Sequence, residues 1–348
     1  MNLKITFDLY YMDKKLQNIL TDPTKRNLKE STLRSYKSTF NSLAKAYDRK
    51  YLNAKWVHEH CDEILGDLEN TSHSRQVSRG SALLILLSPK GKKCPPKKYQ
   101  QTYDRINKYV TNLNAKYFES KQTQVKTEKE SKNWVEWDKI ELFLRKREIA
   151  VFADVKSKDG HYNYNDLNSI QQLLILALYV YLPPRRLDYS GMEIITEKLY
   201  KKMQVLDNNI KKKNLLVVKS SKSKYFSFGT DACKSKLKGG QSCLVVNVPP
   251  KLNKIINLWL QYNESEVLLL NKNGSALNKL SLGKQIISIF ERKFDKRIGV
   301  SLLRKIYLSH VFKNDTSYKL KSDLSVLMNH AVNVAESIYV KKHDYKSN

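Results

Sequence analysis

Apolar side chains recur along most of this chain at helical intervals. In residues 28–50, LKESTLRSYKSTFNSLAKAYDRK, the positions Leu33, Tyr36, Phe40, Leu43 and Tyr47 follow at steps of 3, 4, 3 and 4. That spacing lays one apolar stripe along a single helix face. Ser31 or Thr32 is placed to cap the helix, because a short hydroxyl can accept a first-turn N–H that has no partner within the helix. Further helices are predicted at about 54–69, 74–88 and 98–118. Between the last two lies SPKGKKCPPKKYQ (88–100), broken by proline and glycine and rich in lysine. Residues 120–132, SKQTQVKTEKESK, are polar and charged and have linker composition.

Order is predicted to return at NWVEWDKIELFLRKREI (133–149), which opens a second helical region. Within it, LLVV (215–218) and KYFSF (224–228) read as a short β-hairpin around a Ser/Lys turn, followed by a third strand in CLVVNV (243–248). After PPKL the helical pattern resumes to the terminus. The expected fold is therefore mainly α with a small three-stranded sheet. A helical domain spans 1–120, a linker 121–132 and a second domain 133–348. No internal repeat is evident.

Composition narrows the partner. The chain has 348 residues, enough for two ordinary domains, and 63 Lys+Arg against 34 Asp+Glu give a net charge of +29. An excess of that size exceeds what solubility requires and implies a polyanion, nucleic acid before an anionic membrane surface. The longest apolar run, LLILALYVYL (173–182), is too short to span a bilayer and reads as a core helix. The N-terminus, MNLKITFDLYYMDKK, lacks the pattern of a secretory signal, so an intracellular protein is expected. Lysine far outnumbers arginine, and Asn, Ile and Tyr are abundant, as in chains encoded by the A+T-rich genomes of many viruses and mobile elements.

Cys61, Cys94, Cys233 and Cys243 are scattered, with no C-x-x-C pair, and are read as ordinary thiols. In HEHC (58–61) a helix would splay His58, His60 and Cys61 over different faces, so no metal site is expected. The lysines of the 88–100 loop, Lys90, Lys92, Lys93, Lys97 and Lys98, are candidate DNA contacts; a wet helical-bundle surface is their plainer reading.

Four separated pieces of the second domain carry candidate chemistry. In YLPPRRLDYSGM (181–192), Pro183 and Pro184 suit a helix start. That would place Arg185 and Arg186 in the opening turn and Asp188 one turn beyond Arg185. A helix N-terminus and a guanidinium both favour phosphate, while a surface arginine pair with a local salt bridge is the equal alternative. The turn KSSKSK (219–224) can hold a lysine over a groove as a point charge or proton donor. In GVSLLRKIYLSHVF (299–312), Arg304 lies near the start of an apolar helix. Finally, LMNHAVNVAESIYVKK (327–342) sets His330 nine positions before Tyr339. Taken singly, Arg304, His330 and Tyr339 are each more often structural, and a basic turn alone is weak evidence.

The order Arg–Lys–Arg–His–Tyr, at these separations, resembles the catalytic domain of the tyrosine recombinases, the phage-integrase family. PPRRLDY looks like the family's first arginine box, SLLRK like its H-x-x-R box, and MNHAVNVAESIYVK like its final box. The resemblance covers about 134–342, and STLRSYKSTFNSLAKAY is more loosely similar to the family's SAM-like core-binding domain. It is closest to virus- and mobile-element-type members. What the resemblance implies is cutting and rejoining of double-stranded DNA by transesterification, as in integration or excision. A 3′-phosphotyrosine would form on Tyr339, without ATP, metal or other cofactor. Arg185 and Arg304 would neutralise the transition-state phosphate, and His330 would hydrogen-bond it or help remove the phenol proton. Lys222 would protonate the departing 5′-oxygen, with Lys219 and Lys224 as alternatives. Arg186 competes with Arg185, which is preferred because it puts Asp188 at the family's acidic position. Tyr345 competes less well with Tyr339. A homo-oligomer on DNA, dimer to tetramer, is implied, with little docking in trans by the short tail VKKHDYKSN (340–348). The sequence departs from the pattern at Ser301, which replaces the first histidine of H-x-x-R. Serine can hydrogen-bond a phosphate but is no general base near neutral pH. That keeps open a catalytically impaired DNA-binding protein of the same fold; a type IB topoisomerase or telomere resolvase is the other alternative.

Overall fold

The computed structural model describes residues 30–88, 95–158, 162–229, 243–312, 316–342 and 344. Lys90, Lys92, Lys93, Cys94, Cys233 and Tyr345 lie outside the described residues. The chain divides into two compact units, Met1–Ser120 and Lys121–Asn348, each with its own apolar core.

The first unit is helical: α1 (Glu30–Ala46), α2 (Ala54–Glu59), α3 (Cys61–Glu69), α4 (His73–Leu87) and α5 (Gln100–Gln122). Of the predicted stripe on α1, Phe40 and Leu43 are fully buried, and Leu33, Tyr36 and Tyr47 pack at the margin of the same core. Ser31 and Thr32 are not caps, because the helix already includes Glu30 and takes both into its first turn. The single helix predicted over 54–69 is two helices meeting at His60. The His60 ring stacks on Trp56 at 4.7 Å and its Nδ1 hydrogen-bonds the Trp56 carbonyl at 3.0 Å, so a side chain takes up a carbonyl at the helix end.

The segment 121–132 is not the free tether its composition predicts. Helix α5 continues through Gln122, and Thr127 with Glu130 forms a capping box that starts α6 (Glu128–Asn133). The [ST]-x-x-E pattern was the legible signal for this second start.

The second unit is built around α8 (Tyr164–Val180), which packs on α7 (Trp137–Ser157) and is buried continuously from Leu173 to Val180. Its sheet has four strands rather than three, in the order β1–β2–β3–β4. The hairpin of β2 (Leu215–Val218) and β3 (Lys224–Gly229) is where the alternation puts it, and β4 (Cys243–Asn247) pairs antiparallel with β3. The added strand, β1 (Glu193–Thr196), runs parallel to β2 and is joined to it through α9 (Glu197–Leu206). Four residues, EIIT, are too few to show a period, and a parallel partner is not announced by any local turn. Phe226 and Phe228, two apart on β3, project to one face and meet Tyr189 edge-on at 5.6 and 5.8 Å; Tyr189 in turn meets Tyr179 of α8 at 5.4 Å. This aromatic floor lies beneath the arginine loop. The unit is completed by α10 (Pro250–Leu260), α11 (Lys279–Phe294), α12 (Val300–Val311), α13 (Tyr318–Leu327) and α14 (Val332–Val334), the last widening into a π-type turn over Ala335–Tyr339. Among the described residues, no helix is long and apolar enough to cross a membrane.

Candidate active site

PPRRLDYSGM does not open a helix. Residues 181–192 form a folded loop between α8 and β1, and the arginines are held by tertiary contacts instead of a helical first turn. The loop is pinned from several sides. The Tyr179 hydroxyl donates to the Arg186 carbonyl at 2.6 Å, and Asn214 Nδ2 donates to the Asp188 carbonyl at 2.9 Å. Gly191 sits at φ +61° and its N–H reaches the Leu277 carbonyl at 3.0 Å; the left-handed backbone there is the reason a glycine fits.

Arg185 is 2% exposed. Its Nε donates to Asp188 Oδ2 at 2.9 Å, its Nη1 donates to the Leu327 carbonyl, and its guanidinium lies 4.0 Å over the Phe228 ring. The local salt bridge given as the alternative for this segment is therefore present between Arg185 and Asp188, made across a loop and buried rather than at the surface. Arg186 is exposed beside it.

Arg304 projects from the first half of α12 into the interior and is 1% exposed. Its Nη1 donates to the Pro184 carbonyl at 3.0 Å and to the Met328 carbonyl at 2.9 Å. One guanidinium nitrogen thus ties the arginine loop to the end of α13. Burial pushes the Arg304 pKa down, and the facing Tyr339 phenol opposes that shift. Ser301, on the same helix, is exposed in its first turn.

The end of α13 delivers the imidazole. Asn329 takes up φ +58°, its N–H bonds the Val326 carbonyl at 3.0 Å, and the His330 N–H bonds the Ser325 carbonyl at 3.0 Å. This is a left-handed helix stop that asparagine supplies nearly as well as glycine. It also leaves the Leu327 and Met328 carbonyls facing the two arginines. His330 Nδ1 lies 3.2 Å from the Ala331 carbonyl, which can only accept, so Nδ1 carries the proton and Nε2 keeps its lone pair. Burial, reinforced by the Arg304 charge, pushes the imidazole pKa down to about 4. The ring stacks on Tyr339 at 5.4 Å and 21°. Tyr339 is half-buried at the end of the π-type turn, and the Arg304 guanidinium carbon lies 5.1 Å from its ring centroid.

Arg185, Arg304, His330 and Tyr339 therefore meet, although 154 positions separate the first from the last. Four buried nitrogens in this group have no partner: Arg185 Nη2, Arg304 Nε and Nη2, and His330 Nε2. Leaving a buried polar group unpaired costs about 1–3 kcal/mol, more when the group is charged. The three guanidinium nitrogens among them can donate to an anion with several acceptor oxygens, whereas His330 Nε2, with its lone pair, can only accept.

The hairpin lysines divide. Lys224 is 3% exposed, and its ammonium is enclosed by Asn253 Oδ1 at 2.8 Å, the Ser221 carbonyl at 3.0 Å, the Ser220 carbonyl at 3.4 Å and Asn257 Oδ1. More acceptors than its three protons surround it, and burial pushes its pKa down. Asn253 and Asn257 also donate to the Ser221 carbonyl at 2.9 and 2.8 Å, locking the turn onto α10. Lys219 and Lys222 are exposed on that turn, outside the four-residue group. Of the loop lysines, Lys97 and Lys98 are exposed, Lys98 lying 4.8 Å over Tyr99. Among the described residues, no three His, Cys, Asp or Glu side chains are grouped to hold a metal ion.

Sequence reading missed the Phe228 floor, the carbonyls of Pro184, Leu327 and Met328, and the asparagine pair on α10. Only the last had a local signal, the i,i+4 spacing of Asn253 and Asn257.

No family model matches this chain, and no curated protein matches it. Among solved structures it is similar to a crystal structure of XerA recombinase, with 10% identity and a TM-score of 0.36 over 95% of this chain and 94% of that one.

Proposed function

We propose that this protein is a tyrosine-type site-specific DNA recombinase. In this reading Tyr339 attacks a phosphodiester of double-stranded DNA and expels a 5′-hydroxyl, leaving a 3′-phosphotyrosine. A 5′-hydroxyl from another strand then attacks the same phosphorus, releasing Tyr339. One P–O bond forms and one breaks in each step, so the phosphate ester is conserved and no energy source is consumed. The observation that carries the reading is the set of four unpartnered, buried nitrogens on Arg185, Arg304 and His330 beside a half-buried tyrosine.

The roles follow from charge and geometry. The unpaired guanidinium nitrogens of Arg185 and Arg304 stabilise the extra negative charge on the non-bridging oxygens, each contribution typically about 3–4 kcal/mol. His330 Nε2, with its lone pair free, accepts the phenol proton as the anionic phosphate arrives and raises the basicity of the imidazole. Asp188 orients Arg185. Lys222, on a turn fixed by Lys224, reaches the leaving 5′-oxygen, and Lys219 is its alternate. Exposed Arg186, with Lys97 and Lys98 on the helical unit and the +29 overall charge, supplies non-specific attraction to the DNA backbone. The protein works as a dimer or tetramer assembled on DNA, to integrate or excise a mobile or viral segment.

Ser301 favours one second reading, a DNA-binding protein of this fold with little turnover, because an exposed serine stands where the family pattern has histidine. A library of nicked suicide duplexes, in which the expelled 5′-hydroxyl is lost on a short fragment, decides between the two. A covalent adduct mapped to Tyr339 by mass spectrometry supports the recombinase. Binding without an adduct supports the second reading and overturns the first.

A further inference from the structure

The segment just past the nucleophile is clamped within its own unit. Val340 is 4% exposed and Lys341 6% exposed. The Lys341 N–H donates to Ser309 Oγ of α12 at 2.8 Å, and the Lys342 N–H donates to the Gln124 carbonyl at 2.9 Å. In return, Gln124 Nε2 donates to the Glu336 carbonyl at 2.8 Å, and Lys126 Nζ reaches Asp344 Oδ1 at 2.7 Å. Glu130 stands at the centre of this arrangement. Its Oε2 accepts the Thr127 N–H at 2.9 Å to close the capping box, while Oε1 pairs with Lys305 in an ion pair whose side chains are 14% and 13% exposed. Burial pushes the Glu130 carboxyl up, but the Lys305 ammonium and the Thr127 N–H, with Lys341 acting from further away, hold it below the usual carboxylate range.

Lys305 follows Arg304 directly, and Lys341 stands two residues beyond Tyr339. We propose that Glu130 is a positioning residue that ties the segment 124–130 to α12 through Lys305, next to Arg304, while Gln124 of the same segment holds the chain on both sides of Tyr339, so that this segment controls how the nucleophile is presented. The inference deepens the recombinase reading and rests on it for its kinetic consequence, though not for the clamp itself. The physical basis is that removing the Glu130 charge leaves the nearly buried Lys305 ammonium unpaired beside Arg304 and frees α12 from the segment that bonds Glu336 and Lys342.

Glu130→Gln tests the clamp, since glutamine keeps the capping box and the side-chain size while removing the charge. Hydrogen exchange of the Val340 and Lys342 amides is measured in the full chain without DNA, together with melting temperature. DNA affinity and the single-turnover rate of adduct formation on the nicked duplex are then measured separately. Exchange at both amides is expected to rise at least about ten-fold, with adduct formation falling on the order of ten- to hundred-fold at DNA affinity within two-fold, as for a misplaced reacting group. Lys305→Met reproduces both effects from the other side, and Glu128→Gln, an exposed acid on the same helix, produces neither. Unchanged exchange in Glu130→Gln overturns the clamp. Faster exchange with an unchanged adduct rate overturns the positioning role. A wild-type protein that makes no adduct sinks the recombinase reading instead, and the exchange data still decide the clamp.

Discussion

The guanidinium carbon of Arg304 lies 5.1 Å from the centre of the Tyr339 ring, on side chains 35 positions apart. A cation held against the face of an aromatic ring is attracted to it and steadies the ring's position. Tyr339→Phe keeps the ring and its packing and removes only the hydroxyl. It is expected to abolish the DNA adduct while leaving DNA affinity within about two-fold, because a single neutral oxygen contributes nothing to phosphate neutralisation. Gel-resolved adducts with Tyr339→Phe and Tyr345→Phe make the check, and persistence of the adduct in the first variant would remove Tyr339 from the mechanism.

The unpaired arginine nitrogens should be detectable without DNA. Inorganic phosphate or sulfate entering the group satisfies them and binds only the folded chain, so the melting temperature should climb with anion concentration. Arg185→Lys, which keeps the charge and loses the fork, should erase most of that rise and slow adduct formation by about 10²–10³. An anion response in the variant equal to wild type would show that the stabilising ions bind elsewhere.

The two classes of hairpin lysine should separate in opposite directions. Lys222→Ala is expected to slow cleavage by about 10²–10³ and to recover when the leaving 5′-oxygen is replaced by sulfur, which departs without a proton. Stability should be unchanged, since Lys222 is exposed. Lys224→Met strands the side-chain oxygens of Asn253 and Asn257, and should cost about 2–4 kcal/mol in urea unfolding. Sulfur rescue of Lys224→Met but not of Lys222→Ala would reverse the assignment.

The His330 ring makes the fold sensitive to acid. Its pKa is pushed from the ordinary 6.5 down to about 4 by burial and the Arg304 charge. Between those values the unfolded chain binds a proton that the folded chain refuses. The contribution is complete above pH 6.5 and is lost as pH falls toward 4, amounting to about 2 kcal/mol between pH 7 and pH 5. His330→Gln should flatten that limb in paired urea titrations. DNA binding near pH 5.5 should also take up close to one proton, because a phosphate beside Nε2 favours the charged ring. Calorimetry in buffers of different ionisation enthalpy reads the uptake directly.

How much of this was visible in the sequence varies with the range of the interaction. The α1 stripe and the β2–β3 hairpin show because their periods are local, and the core helix around 173–182 shows because it is almost wholly apolar. The pairing of Arg185 with Asp188 was legible from three-residue spacing, yet the helix inferred to carry it was wrong. Proline fits a helical first turn but equally fits a loop, and here Tyr179, Asn214 and Arg304 hold the loop from outside it. The partner strand β1 was hidden because a parallel pairing leaves no mark in its own four residues. The enclosure of Lys224 was not legible, because burial is not encoded in a turn of alternating lysine and serine. Glu130 was concealed by its surroundings, since a polar stretch reads as tether even when one of its acids is sequestered.

The left-handed stop at Asn329 concentrates risk in a very short piece of chain. The carbonyls on either side of the Leu327–Met328 junction steer one guanidinium each, and the imidazole comes two residues later, so spacing here matters more than side-chain identity. Adding or deleting a single residue between 327 and 330 would misdirect Arg185, Arg304 and His330 simultaneously. Substitutions on the outward side of α13, at exposed Tyr318 or Leu320 for example, leave that register untouched.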